Sequence, residues 1–229
     1  MPIRTIRLLC PTVRPEMMKS TLVQWMTTAA QADRIRVKIA VNTDEDRSRL
    51  LGFNDVLIIG TKRPGAPYAV FRLFQAVEGL PEDIIVLVSD DTFAPPSWDD
   101  WLEKQFDGHD DAIIVDDGCQ YGACVTQPIM TYGCVLKLNR VVNHPSYNHF
   151  CADAELFVNL SEMGLVRDLR RGSGQLFEHR NWAGGKRAKD KHDERNISLW
   201  GVDEHNQRTR LSLPVKERLK VDPSFFSQL

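Results

Sequence analysis

The chain has 229 residues and a formal net charge of −2 at pH 7, with 42% hydrophobic and 26% charged residues. This composition is typical of one soluble globular domain with a full hydrophobic core. No apolar run approaches the roughly 18 to 20 residues that cross a bilayer, and the N-terminus lacks the apolar region of a secretory signal, so we expect a cytoplasmic protein without a membrane anchor.

The first half of the sequence alternates between strand and helix patterns. Apolar, β-branched runs predict strands at 6–10, 36–41, 56–59 and 84–88. Helical periodicity predicts helices at 16–30 and 68–77. Strands separated by helices indicate right-handed crossovers, so we predict an α/β fold with a mainly parallel sheet and a nucleotide-binding architecture.

The second half of the sequence is less regular. Its patterns predict helices at 97–106 and 154–163 and strands at 112–115 and 135–138. Residues 172–196 are polar and rich in Gly, Lys and Arg, which predicts a long loop. Loops of that length are functional lids or are disordered, and the His and Trp content of this one favours a lid.

Two adjacent carboxylates, Asp90 and Asp91, end the predicted strand at 84–88. Ligands bind α/β sheets just beyond the carboxyl ends of the strands, which predicts that both acids lie in a binding crevice. Hard oxygen ligands suit Mg²⁺ or Mn²⁺, which a protein often shares with a substrate phosphate. The alternative is that these residues merely turn the chain, because Asp is a common turn former and Pro95-Pro96 follow.

Charge and cysteine content add two expectations. Residues 1–165 carry 15 Lys and Arg against 22 Asp and Glu, whereas residues 166–220 carry 14 against 8. A basic tail of this kind is typical of a phosphate or nucleic-acid site and equally of a solvated surface. The five cysteines form no Cys-x-x-Cys pair, so we expect reduced, mostly packed thiols rather than a zinc site.

Four segments of the chain together resemble one family. They are Ile6-Arg7-Leu8-Leu9-Cys10-Pro11-Thr12-Val13-Arg14-Pro15-Glu16; Val88-Ser89-Asp90-Asp91-Thr92 with Pro95-Pro96 and Trp98; Ala152-Asp153-Ala154-Glu155-Leu156; and Phe177-Glu178-His179-Arg180-Asn181-Trp182 with Gly184-Gly185-Lys186-Arg187 and Asp190. Their order and spacing resemble the GT-A fold, family 2-like glycosyltransferases, particularly the small bacteriophage forms. The second segment reads Ser-Asp-Asp where that family has Asp-x-Asp.

The resemblance implies a GT-A-like fold and a metal-dependent transfer of a sugar from a nucleotide-diphosphate sugar. It divides the chain into a nucleotide-sugar-binding catalytic core at 1–165 and a lid or tail of the same domain at 166–229. It also implies Mn²⁺ or Mg²⁺ as cofactor and a UDP-sugar as the preferred donor. A phage-encoded enzyme of this kind would work in the host cytoplasm.

The resemblance also assigns roles to acidic residues. Asp91 is the first choice as metal ligand and His179 the candidate third ligand, with His192 as a weaker substitute, while Asp90 would hold the donor. For an inverting transfer, Asp153 is the favoured base and Glu155 the alternate. The other interpretation is that Asp153 is a helix N-cap and Glu155 a first-turn acid that the helix dipole favours.

Donor binding is implied for residues at the strand ends and in the predicted lid. These residues are Pro11, Thr12, Arg14 and Asp44, with phosphate contacts from Lys62, Arg63, Lys186 and Arg187. Taken singly, each of these basic residues is more typical of a solvated surface charge, so only their convergence would indicate a phosphate site.

The acceptor is open at the level of the sequence. A 5-hydroxymethylpyrimidine in phage DNA fits the basic tail, with Trp182 and Trp200 available for stacking. A saccharide or cell-envelope acceptor is the alternative. Two other functions compete: a nucleotidyltransferase, for which the segment after the first strand lacks a glycine-rich phosphate loop, and a non-catalytic nucleotide or DNA-binding module.

Overall fold

The backbone of the computed structural model alternates strand and helix through its first half, as the sequence predicts. The structure describes residues 4–61, 65–119, 122–171, 174–183 and 185–226. Its strands are β1 Ile6–Pro11, β2 Ile35–Val41, β3 Val56–Ile58, β4 Ile84–Leu87, β5 Thr92–Phe93, β6 Ala112–Ile114, β7 Ile129–Thr131, β8 Val166–Asp168 and β9 Glu178–His179.

The helices connect these strands and then form the C-terminal part. They are α1 Pro15–Thr28, α2 Asp44–Ser48, α3 Ala66–Ala76, α4 Trp98–Gln105, α5 Tyr132–Lys137, α6 Ala152–Glu162, α7 Lys191–Ser198, α8 Trp200–Leu211 and α9 Val215–Arg218. Short 3-10 turns occupy Ala32–Arg34 and Pro223–Phe225. In the part of the chain that the structure describes, no helix is both long enough and apolar enough to cross a membrane.

Seven strands form the main sheet, in the order β3-β2-β1-β4-β7-β6-β8. Only β7 runs antiparallel to the other six strands. The carboxyl ends of β1, β2, β4 and β6 therefore lie at one edge of the sheet. The strands β5 and β9 form a separate antiparallel pair.

Helices cover both faces of the sheet. Because side chains alternate along a strand, neighbouring residues of β1 face opposite clusters: Leu8 packs with α1 and α4, and Leu9 packs with α3 and α6. Both leucines are fully buried. Two covered faces explain the continuous apolar runs of β1 and β4, and they confirm the predicted α/β class with a mainly parallel sheet.

Two sequence-based predictions are wrong. Residues 135–137 belong to α5 and Leu138 is its C-cap, so this segment is not a strand; Thr131 caps the start of the helix by accepting the Cys134 N–H. A strand precedes it instead, as β7. Residues 172–196 are not one continuous loop, since they contain β9 and the start of α7.

The division of the chain at residue 165 stays a prediction. The structure places β8, the first element after that position, in the main sheet beside β6. Helix α8 packs near α6, so the C-terminal part of the chain packs against the part before residue 165.

Candidate functional site

Helix α1 fixes the segment that carries the two acids. The Thr21 hydroxyl donates to the Asp90 carbonyl oxygen at 2.6 Å, and the Trp25 indole N–H donates to the Thr92 carbonyl oxygen at 2.7 Å. The Gln24 side chain both donates to the Ala94 carbonyl oxygen and accepts from its N–H. Trp25 is fully buried. A packed helix therefore holds the backbone of residues 90–94 at the sheet edge.

The β5–β9 pair brings a histidine to these acids. Thr92 pairs with His179, and the Arg180 N–H donates to the Asp91 carbonyl oxygen at 2.7 Å. The imidazole Nε2 of His179 then lies 3.2 Å from Asp91 Oδ1. The structure thus brings together the two residues that the sequence analysis predicts as metal ligands.

The charges around this pair shift both pKa values. Burial alone would raise the pKa of Asp91, but its hydrogen bond to His179 and the charges of His179 and Arg187 lower it overall. Burial alone would lower the pKa of His179, but hydrogen bonds to Asp117 and Asp91 raise it to about 9. Asp91 is therefore ionised and His179 protonated at neutral pH when no metal ion is bound.

Asp117 is a site residue that the sequence analysis did not select. It follows β6 as Asp91 follows β4, and its Oδ2 lies 3.9 Å from His179 Nδ1. Its carbonyl oxygen also accepts the His179 N–H at 2.9 Å. The signal was present in the sequence, because a second Asp-Asp pair follows the predicted strand at 112–115.

Asp90 faces the loop after β1. Its carboxylate accepts from the Thr12 hydroxyl at 2.8 Å and lies 3.3 Å from Arg14 Nη1. Burial raises the pKa of Asp90 to about 6, with the charge of Asp91 adding to this effect and Arg14 opposing it. Thr12, Arg14 and Asp90 therefore form one connected group.

Residues at the start of α7 contact the group formed by Thr12, Arg14 and Asp90. Arg14 binds Asp190 through its Nε at 2.7 Å, and its Nη2 lies 3.2 Å from Asp193 Oδ1. Arg187 binds Asp193 at 2.6 Å and lies 3.5 Å from Asp91 Oδ2. Asp190 and Asp193 also form the capping box of α7. We call Arg14, Arg187, Asp190 and Asp193 the α7 clasp.

Asp153 and Glu155, the two candidate bases, lie in very different surroundings. Asp153 is half-buried in the first turn of α6, and desolvation raises its pKa while its hydrogen bond from the Ala154 N–H and the charge of His179 oppose the shift. Glu155 is buried, and its two oxygens accept from the Arg210 guanidinium at 2.8 Å and from Tyr147 at 2.6 Å. Glu155 is thus held in a buried ion pair, which favours Asp153 over Glu155 as the base.

The remaining predicted residues lie at varying distances from this centre. Pro11 ends β1, and Asp44 is exposed at the start of α2, beyond the carboxyl end of β2. Lys186 Nζ lies 3.8 Å from Glu178 Oε1 beside β9. Lys62 and Arg63 lie outside the described residues.

Much of the positive charge of the C-terminal part is neutralised within the fold. Arg210 and Arg218 are buried, the first against Glu155 and the second against Asn159 and Glu162. Arg187 belongs to the α7 clasp. The excess of basic residues after position 165 is therefore a poor measure of the charge that a ligand would meet.

The donor set at Asp91 and His179 fits a hard divalent cation. A carboxylate oxygen and an imidazole nitrogen converge there, and both suit Mn²⁺. The His179 side chain is 20% exposed, so an ion can reach it from solvent.

Comparison with known proteins shows likeness in fold. No protein-family model and no curated protein sequence matches the chain. Among solved structures, S. aureus TarS 1-349 has a TM-score of 0.56 at 13% identity, over 76% of this chain and 60% of that chain. The mannosyltransferase PcManGT from Pyrobaculum calidifontis, in complex with GDP-Man and Mn²⁺, has a TM-score of 0.56 at 12% identity, over 99% and 74%.

A third structure gives the same result. Glucosyl-3-phosphoglycerate synthase from Mycobacterium tuberculosis, in complex with Mn²⁺, uridine diphosphate and phosphoglyceric acid, has a TM-score of 0.54 at 16% identity, over 80% of this chain and 74% of that chain. At these identities the likeness concerns the fold. It confirms the GT-A-like architecture that the sequence resemblance implies.

Proposed function

We propose that the protein is a metal-dependent glycosyltransferase that uses a nucleotide-diphosphate sugar. The observation that carries this proposal is the β5–β9 pair, which sets His179 Nε2 3.2 Å from Asp91 Oδ1 at the carboxyl edge of the sheet. Neighbours of the same fold that bind Mn²⁺ with UDP or GDP-Man support it. We therefore assign Mn²⁺ or Mg²⁺ as cofactor and a UDP-sugar as the donor to test first.

Asp91 and His179 would hold the metal ion. When bound, the ion stabilises the negative charge that develops on the departing diphosphate, an effect worth several kcal/mol. His179 gives up its proton to become a ligand, so ion binding releases this proton to solvent at neutral pH. Asp91 is already ionised and needs no such change.

The donor is proposed to bind between the loop after β1 and the α7 clasp. Thr12 and Arg14 contact Asp90, which orients that loop, and Pro11 and Asp44 lie at the adjacent strand ends. Arg187 and Lys186 supply positive charge beside Asp91 for the phosphates. Arg14 and Arg187 are each neutralised by the carboxylates of α7 in this structure, so donor binding exchanges those ion pairs for phosphate contacts.

Asp153 is proposed as the base of an inverting reaction. It would accept the proton of the acceptor hydroxyl as that oxygen attacks the anomeric carbon and the bond to the diphosphate breaks. Desolvation raises the pKa of Asp153, which makes its carboxylate a better proton acceptor than an exposed one.

For the acceptor we propose a 5-hydroxymethylpyrimidine in DNA. The support is an exposed aromatic side chain: Trp200 is 53% exposed, and its ring packs at an angle of 53° against Phe150, three residues before Asp153, with the ring centroids 4.6 Å apart. An exposed ring at this place suits a nucleobase taken out of its stack. Charge adds less support, because several arginines of the C-terminal part are paired internally.

The test measures nucleotide release from UDP-, GDP- and other nucleotide sugars with Mn²⁺ or Mg²⁺, first alone and then with hydroxymethylated DNA or saccharides. We expect Asp91→Asn to lower metal-dependent turnover about 100-fold or more, because it removes a charged ligand. Asp55→Asn is the matched control, since Asp55 pairs with Lys38 before β3 and should leave turnover unchanged. Turnover that survives Asp91→Asn, or no metal-dependent release from any donor, would contradict the proposal.

A further inference from the structure

A second group of metal-ligating side chains lies on the other side of His179. The ligand atoms of Asp117, Cys119 and His179 all lie within 4.8 Å of one another. Asp117 is buried, whereas Cys119 and His179 are half-buried, so an ion can approach them from solvent. A carboxylate, a thiolate and an imidazole together suit thiophilic divalent ions such as Zn²⁺ and Co²⁺.

Local hydrogen bonds orient these three side chains. The Cys119 N–H donates to Asp117 Oδ1 at 2.8 Å, and the Thr126 hydroxyl donates to Asp117 Oδ2. The Asn181 amide donates to the Cys119 sulfur at 3.7 Å. The β5–β9 pair fixes the backbone of His179. The geometry therefore arises from several parts of the fold and not from one flexible turn.

We propose that Asp117, Cys119 and His179 form a binding site for a thiophilic divalent ion, and that this site competes with the Asp91 site for His179. The first half of the proposal stands on the cluster alone. The competition rests on the proposed function, because it requires a catalytic ion at Asp91.

The two nitrogens of His179 explain the competition. Nε2 faces Asp91 at 3.2 Å, and Nδ1 faces Asp117 at 3.9 Å. A neutral imidazole has one nitrogen that binds an ion and one that carries a proton. With an ion at Nε2, the Nδ1 proton points to Asp117; with an ion at Nδ1, the Nε2 proton points to Asp91. In each state a carboxylate accepts the remaining N–H of the ring. The imidazole of His179 can therefore bind an ion at only one of the two sites at a time.

Binding of an ion at the thiol site releases protons to solvent but needs no oxidant. The Cys119 sulfur donates to the His179 carbonyl oxygen at 3.8 Å as a thiol. On binding, the S–H bond of Cys119 and the Nδ1–H bond of the protonated His179 break, both protons go to solvent, and the freed sulfur and nitrogen lone pairs form the bonds to the ion. A thiophilic ion therefore acts on the proposed enzyme as an inhibitor that withdraws one ligand from the catalytic ion.

Co²⁺ is the probe for the thiol site, because a cobalt–thiolate bond gives a charge-transfer band in the near ultraviolet. We expect this band when the full-length, metal-free, reduced protein is titrated with Co²⁺. Cys119→Ser should abolish the band and weaken Co²⁺ binding about tenfold or more, and Asp117→Asn should weaken it by a similar factor. Cys151→Ser, which changes another half-buried thiol, is the matched control and should leave the band intact.

Mn²⁺ binding, followed by electron paramagnetic resonance, tests the competition. Zn²⁺ should release bound Mn²⁺ from the wild type, and Cys119→Ser should need about tenfold more Zn²⁺ for the same release. Asp91→Asn should lose Mn²⁺ binding but keep the cobalt band.

The possible failures are distinguishable. If the wild type binds no Mn²⁺ but shows the cobalt band, the Asp91 site is refuted and the thiol site is supported. Absence of the band, or a band that survives Cys119→Ser, overturns the thiol site, and Zn²⁺ bound without loss of Mn²⁺ overturns the competition.

Discussion

Two carboxylates in one turn of α6 acquire different roles from their partners. Glu155 meets Arg210 and Tyr147 in the core, whereas Asp153 lies half-buried near His179. The sequence predicts that the two side chains point apart on a helix, but it cannot say which one faces the site. Arg210 lies 55 residues further along the chain, and only the packing of α8 on α6 brings it to Glu155.

Substitutions should separate the two roles. Asp153→Asn should lower kcat about 100-fold or more and leave stability nearly unchanged, because it removes a proton acceptor without a buried partner charge. Glu155→Gln should lower the free energy of unfolding by about 3 to 5 kcal/mol, because it leaves the Arg210 charge buried and unpaired. Denaturant unfolding and turnover measure both effects. The opposite pattern, a stable but inactive Glu155→Gln and a fully active Asp153→Asn, would reverse our assignment.

Helix α7 shows why element prediction fails in the C-terminal part. Its sequence, Lys191–Ser198, is almost entirely polar, so no apolar period marks it as a helix. Its stability comes from the capping box of Asp190 and Asp193 and from ion pairs with Arg14, a residue 176 positions before Asp190. The first four strands, in contrast, are predictable because apolar residues dominate each of them, with Arg7 in β1 and Arg36 and Lys38 in β2 as the interruptions.

The α7 clasp should control the local stability of this helix. Asp190→Ala removes the cap and the Arg14 ion pair, which should cost about 1 to 2 kcal/mol and speed amide exchange in 191–198. Thr43→Ala is the control: it removes the N-cap of α2 without an ion pair, so faster exchange should stay within 44–48. Unchanged exchange in α7 of Asp190→Ala would show that the clasp does not hold the helix.

At the scale of the whole molecule, the sequence predicts which residues lie at the carboxyl edge of the sheet, but it does not predict β7 or the β5–β9 pair. Alternating elements place the ends of β1 and β4 together, so the position of Asp90 and Asp91 follows from the pattern of the sequence, whereas Thr12 and Arg14 follow from the family resemblance. The β5–β9 pair does not, because a strand of two residues carries no period, and β7 was not predicted either. The basic tail shows a further limit of prediction from sequence. The sequence gives the number of charged residues, but not the ion pairs that neutralise them in the fold.

The C-terminal tail is attached to the core through a buried histidine, which should make stability depend on pH. His144 is 7% exposed, and its Nε2 lies 3.1 Å from the Lys220 carbonyl oxygen. Burial and the charge of Arg210 lower the pKa of His144 to about 4, against the opposing effects of the Lys220 carbonyl and Glu155. The folded state therefore binds fewer protons than the unfolded state between pH 6.5 and 4, and this contribution to stability is lost as pH falls through that range.

We expect His144 to account for about 2 to 3 kcal/mol of the stability lost between pH 7 and 4.5. His144→Gln lacks the titrating ring, so its unfolding free energy should fall by that much less over the same interval. Urea unfolding of both proteins at the two pH values measures the difference, which removes the contributions of other acids, including Asp90. Equal losses in the two proteins would show that His144 does not carry the effect.

The β5–β9 pair also affects the order in which the protein folds during its synthesis. Thr92 and His179 meet across 87 positions of chain, so their contact closes a long loop that carries a conformational-entropy cost. During synthesis the strands β1 to β7 leave the ribosome before residue 179 exists. A nascent chain can thus complete most of its sheet before His179 reaches Asp91, so we expect the proposed metal site to form late, among the last steps of folding.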